Sequence, residues 1–133
     1  MFEIYVEGSF SAGHALRGYR GKCENPHGHN YKVRLTLEGP SLDEVGLLCD
    51  FVKLKQSMRE ALAALDHRYL NDQAPFDHLN PSAENLAKYF YEEAAGHFPG
   101  GGPRIKNVTV WETDTTAATY WPDGEAGGDG KAR

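Results

Sequence analysis

Three histidines and one cysteine near the start of the chain have side chains suited to a metal site. Cys23 lies four residues before the His27-Gly28-His29 segment, and His14 precedes both. Imidazole nitrogen and thiolate sulfur are the ligands that zinc prefers, and three protein histidines leave one coordination position open, as in catalytic zinc sites. The sequence therefore predicts a zinc site made of His14, His27 and His29.

Alternating polar and apolar residues indicate that two strands carry these histidines. In the first strand, about 2–14, the even-numbered residues are apolar and His14 continues their side. In the second, about 29–39, the odd-numbered residues are apolar, and His27 and His29 extend their side. We expect all three imidazoles to face inward, where an unsatisfied polar group is costly and a bound ion removes that cost.

The role of Cys23 is open at this point. As a fourth ligand it would close the site into a structural clamp. Standing beside the ion, its thiol would have a pKa below the usual value of about 8.5 and could act as a base or nucleophile. Structural zinc sites favour several cysteines, which favours the open, catalytic arrangement.

Two further groups are candidates for proton transfer and for substrate binding. Asp66 and His67 are adjacent, and an imidazole with an ordinary pKa of about 6.5 suits a proton relay; a histidine at a helix C-terminus is the bland alternative. Glu112 continues an apolar side of its strand and could bind a planar amidine-like edge through two parallel hydrogen bonds. A strand-end carboxylate exposed to water is the alternative for Glu112.

The remaining pattern predicts an α+β domain with the element order ββααββ. Asp50 should cap a first helix, with an inward stripe of Phe51, Leu54, Met58, Leu62 and Leu65. Ser82 should cap a second helix, with Leu86, Phe90, Ala94 and Phe98 inward. Strands at about 105–112 and 117–121 complete an antiparallel sheet, whose open edges could be closed by copies of the chain.

Length and composition narrow the class of protein. The 133 residues suit one domain, predicted at 1–122, with a flexible Gly-rich tail at 123–133. A net charge of -5 without a basic cluster argues against nucleic acid as a partner. No apolar run approaches the length of a membrane span, so we expect a cytoplasmic protein that does not bind membranes.

Five motifs in this order resemble the 6-pyruvoyl tetrahydropterin synthase superfamily. They are Ser9-Phe10-Ser11-Ala12-Gly13-His14, Cys23-x3-His27-Gly28-His29-Asn30-Tyr31, Leu65-Asp66-His67-Arg68-Tyr69-Leu70-Asn71, Asn80-Pro81-Ser82-Ala83-Glu84-Asn85 and Glu112-Thr113. The resemblance implies a tunnelling fold (T-fold), in which three subunits close a barrel and two trimers stack as a homohexamer. It also implies sites at subunit interfaces.

The spacing between Cys23 and His27 is most similar to the bacterial 6-carboxy-5,6,7,8-tetrahydropterin synthase branch of that family, in the route to queuosine. That likeness implies a lyase acting on 7,8-dihydroneopterin triphosphate, with zinc on the three histidines. Cys23 would take a proton, and Asp66 with His67 would relay protons. Glu112 would hold the pterin, and substrate contacts from Ser82, Glu84 and Glu24 are also expected.

Three alternatives remain open from the sequence. Glu24, beside Cys23, resembles the glutamate of a folate-branch relative that makes 6-hydroxymethyl-7,8-dihydropterin. Asn25-Pro26 and Asn30-Tyr31 also resemble the pyruvoyl-forming synthases. A different class is a non-catalytic metal-binding or pterin-binding module, in which Cys23 and the three histidines fill the coordination shell.

Overall fold

The computed structural model describes residues 1–18 and 25–123. The elements in chain order are β1 (Phe2–His14), β2 (His27–Gly39), α1 (Phe51–Ala63), β3 (Arg68–Tyr69), a short 3₁₀ helix (Leu70–Asp72), α2 (Ala83–Ala95), β4 (Arg104–Thr113) and β5 (Thr116–Tyr120). The expected ββααββ order is confirmed for the long elements, and the two-residue β3 between the helices is an addition to it. Cys23, Glu24 and the tail beyond Asp123 lie outside the described residues.

The strands form one sheet in the order β3-β1-β2-β4-β5. β1 and β2 pair antiparallel over their whole length, from Phe2 opposite Gly39 to His14 opposite His27. β4 pairs antiparallel with β2, and β5 with β4. The four predicted strands thus form the expected antiparallel sheet, and the unpredicted β3 adds a parallel pairing with β1 at Ala12 and Gly13. A strand of two residues is too short for alternation to reveal it.

Both helices begin at the capping residues that the sequence predicted. The Asp50 side chain accepts a hydrogen bond from the Val52 amide, and Ser82 accepts one from the Asn85 amide. The helices lie on the apolar face of the sheet, α1 against β1 and α2 against β4 and β5. Leu54 and Leu86 are completely buried in the core that also contains Val108 and Val110. Burial of this apolar surface holds the helices to the strands that carry the histidines.

Several predicted boundaries and orientations need correction. β2 begins at His27 rather than 29. α1 ends at Ala63, so Leu65 is buried beyond the helix, as Phe98 is beyond the end of α2. Phe51 is half-exposed. A helical side chain leans over the preceding turn of its helix, and Phe51 is the first residue of α1, so there is no preceding turn for it to cover.

The helix lengths and the sheet edges bear on contacts with membranes and with other chains. None of the helices in the described chain is long and apolar enough to cross a membrane. β5 is the edge strand on one side of the sheet. On the other side, β3 pairs with β1 only at Ala12 and Gly13. Within the described residues the sheet is therefore open on both sides and is not closed into a barrel by one chain.

Candidate metal centre

Strand register brings the three histidines together. His14 lies directly opposite His27, and His29 is opposite Ala12, on the same side of the sheet as His14. The His14 ring centroid lies 4.5 Å from that of His27 and 5.0 Å from that of His29, and the His27 and His29 centroids are 4.9 Å apart. The three imidazoles therefore form the cluster that the sequence predicted.

Glu112, from the neighbouring strand β4, joins this cluster. Its Oε2 atom lies 3.0 Å from Nε2 of His29 and 3.6 Å from Nε2 of His14. The Nε2 atoms of His14 and His27 are 3.0 Å apart. One ligand atom from each of the four residues lies within 4.8 Å of every other. The sequence predicted that Glu112 faces inward, and the structure places its carboxylate against the imidazoles.

The outer nitrogens of two imidazoles contact backbone carbonyls. Nδ1 of His14 lies 2.8 Å from the carbonyl oxygen of Pro81, and Nδ1 of His27 lies 2.7 Å from that of Asn25. Because a carbonyl can only accept, each Nδ1 carries the proton and each Nε2 presents its lone pair to the cluster. This is the tautomer in which histidine binds a metal through Nε2.

Burial favours the neutral form of two of the three imidazoles, the form that binds a cation. Desolvation lowers the pKa of His14 and of His29, although the Glu112 carboxylate partly opposes it in both cases. Nε2 of His29 is buried and has no hydrogen-bond partner of acceptable geometry among the described residues, despite its closeness to Glu112. Three imidazole nitrogens and one carboxylate oxygen are a donor set that suits zinc.

Tyr31 is a neighbour of the site to which the sequence assigned no role. Its hydroxyl lies 3.1 Å from Nδ1 of His14, and its side chain is fully buried. Burial raises the pKa of this hydroxyl far above its usual value, so it stays protonated. Its odd number on β2 places it on the side of His29, which is the sequence signal that could have identified it.

Asp66 and His67 contact each other but not the cluster. The His67 Nδ1 and Asp66 Oδ1 atoms are 3.1 Å apart, and Asp66 Oδ1 also accepts the Ser11 amide at 2.9 Å. The His67 amide donates to the Ser11 carbonyl, and His67 has a positive φ of 61° and an exposed side chain. With Ser11 and Asn30, His67 lines a cavity of about 510 Å³. Within the described chain, no hydrogen bond or ion pair joins His67 to the histidine cluster.

The remaining predicted residues divide into two groups. Ser82 uses its hydroxyl to cap α2 directly after Pro81, whose carbonyl binds His14, and Glu84 is exposed in the first turn of that helix. Neither contacts the cluster through its side chain. Cys23 and Glu24 fall outside the described residues, so their predicted roles remain predictions.

An α+β sheet with two helices on one face and a cluster of three histidines and one carboxylate defines a class of candidate metalloproteins. The family model for 6-pyruvoyl tetrahydropterin synthase matches residues 3–123. The chain therefore belongs to the 6-pyruvoyl tetrahydropterin synthase family, and the resemblance drawn from its motifs is confirmed.

Individual relatives support this assignment. Over 129 residues the chain is 36% identical to a 6-carboxy-5,6,7,8-tetrahydropterin synthase of Synechocystis sp., covering 91% of this chain and 94% of the relative. Over 126 residues it is 35% identical to the 6-pyruvoyl tetrahydrobiopterin synthase of Homo sapiens, covering 84% and 86%. The solved structure of the 6-pyruvoyl tetrahydropterin synthase of Caenorhabditis elegans superimposes with a TM-score of 0.82 at 30% identity, covering 92% and 96%. The predicted α+β T-fold subunit is thereby confirmed.

Proposed function

We propose that this chain is the subunit of a zinc-dependent lyase that forms 6-carboxy-5,6,7,8-tetrahydropterin in the route to queuosine. The substrate is 7,8-dihydroneopterin triphosphate. With one water consumed, the products are the carboxylated pterin, acetaldehyde and triphosphate. The observation that carries the proposal is the convergence of three imidazole Nε2 atoms in a chain of this family.

His14, His27 and His29 would hold the ion, and their geometry supports that role. Two of the three have their outer nitrogen bonded to a carbonyl, which leaves Nε2 free to ligate. Bound zinc supplies a Lewis acid that polarises substrate oxygens and acidifies neighbouring C–H bonds. Glu112 stands beside the imidazoles, where its carboxylate could hold a pterin through its N–H edge by two parallel hydrogen bonds.

The proton-transfer groups of the proposal are Cys23, Asp66 and His67. The Ser11 amide is the main cause of the lowered pKa of Asp66, and this ionised carboxylate orients the His67 ring. Both residues are held on β1 through the Ser11 backbone, and within the described residues no hydrogen bond or ion pair joins His67 to the histidine cluster. We therefore propose that His67 serves the histidine cluster of another subunit, in a homohexamer built as a dimer of trimers with cytoplasmic location.

A product assay tests the proposed reaction. Zinc-loaded protein is incubated with 7,8-dihydroneopterin triphosphate, and pterins and acetaldehyde are measured by mass spectrometry and an aldehyde-coupled assay. The expected result is equimolar 6-carboxytetrahydropterin and acetaldehyde, with activity lost on chelation and restored by zinc. A folded, zinc-loaded protein that releases no acetaldehyde would contradict the proposal.

A pair of histidine variants separates the site from general effects. His27→Gln is expected to lose metal and activity together, because it removes one of three imidazole ligands. His78→Gln is the matched control, since the His78 side chain is exposed and, within the described chain, hydrogen-bonds only to its neighbour Asp77. Equal activity in both variants would remove His27 from the site.

A second candidate within the family is a synthase with another pterin product. The 35% identity to a human 6-pyruvoyl tetrahydrobiopterin synthase favours the pyruvoyl product. A solved variant of the Plasmodium vivax 6-pyruvoyltetrahydropterin synthase replaces a glutamate described as a catalytic residue, which makes Glu24 of interest for the hydroxymethyl product of the folate branch. Mass spectrometry of the products of Cys23→Ala and Glu24→Ala separates the carboxy-forming enzyme from the hydroxymethyl-forming one. Loss of Cys23 abolishes the carboxy product, whereas loss of Glu24 abolishes a hydroxymethyl product.

The candidate of a different class is a metal-binding or pterin-binding module without catalysis. Its support is the closeness of four potential ligands, which can fill a coordination shell. Zinc spectroscopy showing a closed four-ligand shell, together with no turnover of any dihydroneopterin compound, would favour it over the lyase.

A further inference from the structure

The chain directly after β1 is held by the side chains of two asparagines. Asn71 accepts the Ala15 amide through Oδ1 at 2.9 Å and donates its Nδ2 to the Ala15 carbonyl at 2.9 Å. Asn80 makes the same pair of bonds with the Arg17 backbone, also at 2.9 Å each. Two carboxamides thus satisfy both backbone groups of two alternate residues.

These four bonds continue the edge pairing of β1. β3 pairs with β1 at Ala12 and Gly13, and the two asparagine side chains take over at Ala15 and Arg17. Paired backbone groups at alternate residues are the pattern that a neighbouring strand would supply. His14 therefore lies inside a held segment, although it is the last residue of β1.

Asn80 is joined to His14 by a second route. The residue that follows it is Pro81, which is fully buried and whose carbonyl accepts the Nδ1 proton of His14. The Asn80 carbonyl is itself held by the Asn85 side chain at 2.8 Å. Asn80 thus holds the segment that follows the donor His14, and it directly precedes the acceptor, the Pro81 carbonyl.

The guanidinium of Arg17 completes this arrangement. It donates to the Phe76 carbonyl at 2.6 Å and lies 3.4 Å from Oδ1 of Asn80 and 3.5 Å from the Asn71 carbonyl. Its donors are directed at the loop between β3 and α2, so this side chain serves to hold the two asparagines near β1.

We infer that Asn80 is a positioning residue for the metal ligand His14, through its clamp on Arg17 and the adjoining Pro81 carbonyl. A carbonyl held in place fixes the ring orientation and keeps the proton on Nδ1, which directs the Nε2 lone pair to the ion. The inference rests on the proposed metal centre, but its effect on the His14 tautomer can be measured without metal.

The test is Asn80→Ala, examined by zinc titration against a chromophoric chelator and by ¹⁵N NMR of the imidazoles. Loss of a ligand's hydrogen-bond partner weakens metal binding by about 10- to 100-fold, so displacement of the Pro81 carbonyl in this variant is expected to weaken zinc binding by up to that factor. In the metal-free protein, the His14 nitrogen shifts are expected to move from one tautomer toward a mixture. The control is Asp50→Ala, which removes the side-chain cap of α1 and lowers stability but should leave zinc affinity unchanged.

Each outcome decides the inference. A folded Asn80→Ala protein with wild-type zinc affinity and an unchanged His14 tautomer would overturn it. So would equal loss of zinc affinity in Asp50→Ala, since lower stability alone would then explain the effect. If wild-type protein binds no zinc, the metal centre itself is wrong, while the tautomer comparison still reports on Asn80.

Asn80→Asp is the second variant, for use if the alanine variant does not fold. It keeps the acceptor for the Arg17 amide and loses the donor to the Arg17 carbonyl. Its added negative charge favours cation binding, so weaker zinc binding with a changed His14 tautomer supports the positioning role. No change in tautomer would contradict it.

Discussion

At the scale of single residues, the two nitrogens of a site imidazole have different tasks. In His14 and His27 the outer nitrogen meets a carbonyl and the inner one faces the other ligands. Alternation of residues along the strands predicted which side chains share this face. It could not predict Pro81 or Asn25 as partners, because carbonyl positions depend on loop paths that side-chain type does not encode.

Glu112 gives a prediction that distinguishes a substrate anchor from a metal ligand. Glu112→Gln keeps the size of the side chain but loses the charge that would bind two N–H groups of a pterin. We expect zinc content to stay the same and kcat/KM to fall by about 10- to 100-fold, the loss typical of a hydrogen bond to a charged group. Metal analysis and steady-state kinetics check it, and loss of zinc with the charge would make Glu112 a ligand instead.

Asp66 gives a prediction about pH. Its carboxylate accepts the Ser11 amide, which is the largest cause of its lowered pKa, with His67 adding to the effect. A carboxyl group with a folded-state pKa below its unfolded value of about 3.9 stabilises the fold above that value, and this contribution disappears as pH falls through the folded-state pKa. Asp66→Asn should therefore be less stable than wild type near neutral pH, with the difference shrinking below pH of about 4.

Urea unfolding of metal-free protein at a series of pH values measures this difference. Asp77→Asn is the matched control, because Asp77 also contacts the following histidine but accepts no backbone amide within the described chain. A pH-independent difference between wild type and Asp66→Asn would show that the carboxylate charge does not contribute.

At the scale of elements, β1 and α1 approach closely at Gly8. A Cβ atom at Gly8 would lie 2.7 Å from Sδ of Met58 and 2.9 Å from Cδ1 of Leu62. Both neighbours belong to the buried side of α1, which the three- and four-residue spacing predicted. The closeness itself was not predictable from that spacing, because it depends on how near the helix axis comes to the sheet.

Gly8→Ala should therefore destabilise the protein by about 1–3 kcal/mol, the usual cost of overpacking a core. Gly102→Ala is the control, since nothing lies within 4 Å of its added Cβ and the position has no positive φ. Thermal and urea unfolding of the two variants give the comparison. Wild-type stability in Gly8→Ala would mean that the Met58 and Leu62 side chains shift to make room for the added methyl group.

Local patterns predicted the long elements well and the short ones poorly. The capping residues Asp50 and Ser82 and the alternation in β1 and β2 each express a local rule, so they could be recognised in sequence. β3 exists only because the segment after Asp66 is bonded to Ser11, fifty-five positions away. Such a contact comes from tertiary structure and leaves no periodic signal.

At the scale of the whole molecule, the sheet is open on both sides within the described residues, and there no hydrogen bond or ion pair joins the Asp66–His67 pair to the histidine cluster. The proposed oligomer, in which subunits pair edge to edge and complete each other's sites, would account for both features. The sequence indicated this arrangement through family resemblance, since no property of one chain specifies how many copies close a ring.

A mixing experiment tests the shared site. His27→Gln and His67→Gln proteins should each be inactive alone. Co-refolding them in equal amounts should restore about a quarter of wild-type activity. In a random assembly a site receives an intact His27 from one subunit about half of the time and an intact His67 from the adjacent subunit about half of the time. Analytical ultracentrifugation checks that the mixtures form the same oligomer as wild type. Restoration of no activity in correctly assembled mixtures would place His67 and the metal ligands in one chain.

The pairing of His14 with His27 has one more consequence, for the connection that joins them. Their separation is set by thirteen matched pairs along two strands, and not by how many amino acids bridge the ends. Insertions or deletions within 18–24, which leave the held Arg17 and Asn25 in place, would keep the spacing of the imidazoles intact. New side chains can thus be introduced into this connection, by natural divergence or by engineering, without rebuilding the histidine cluster.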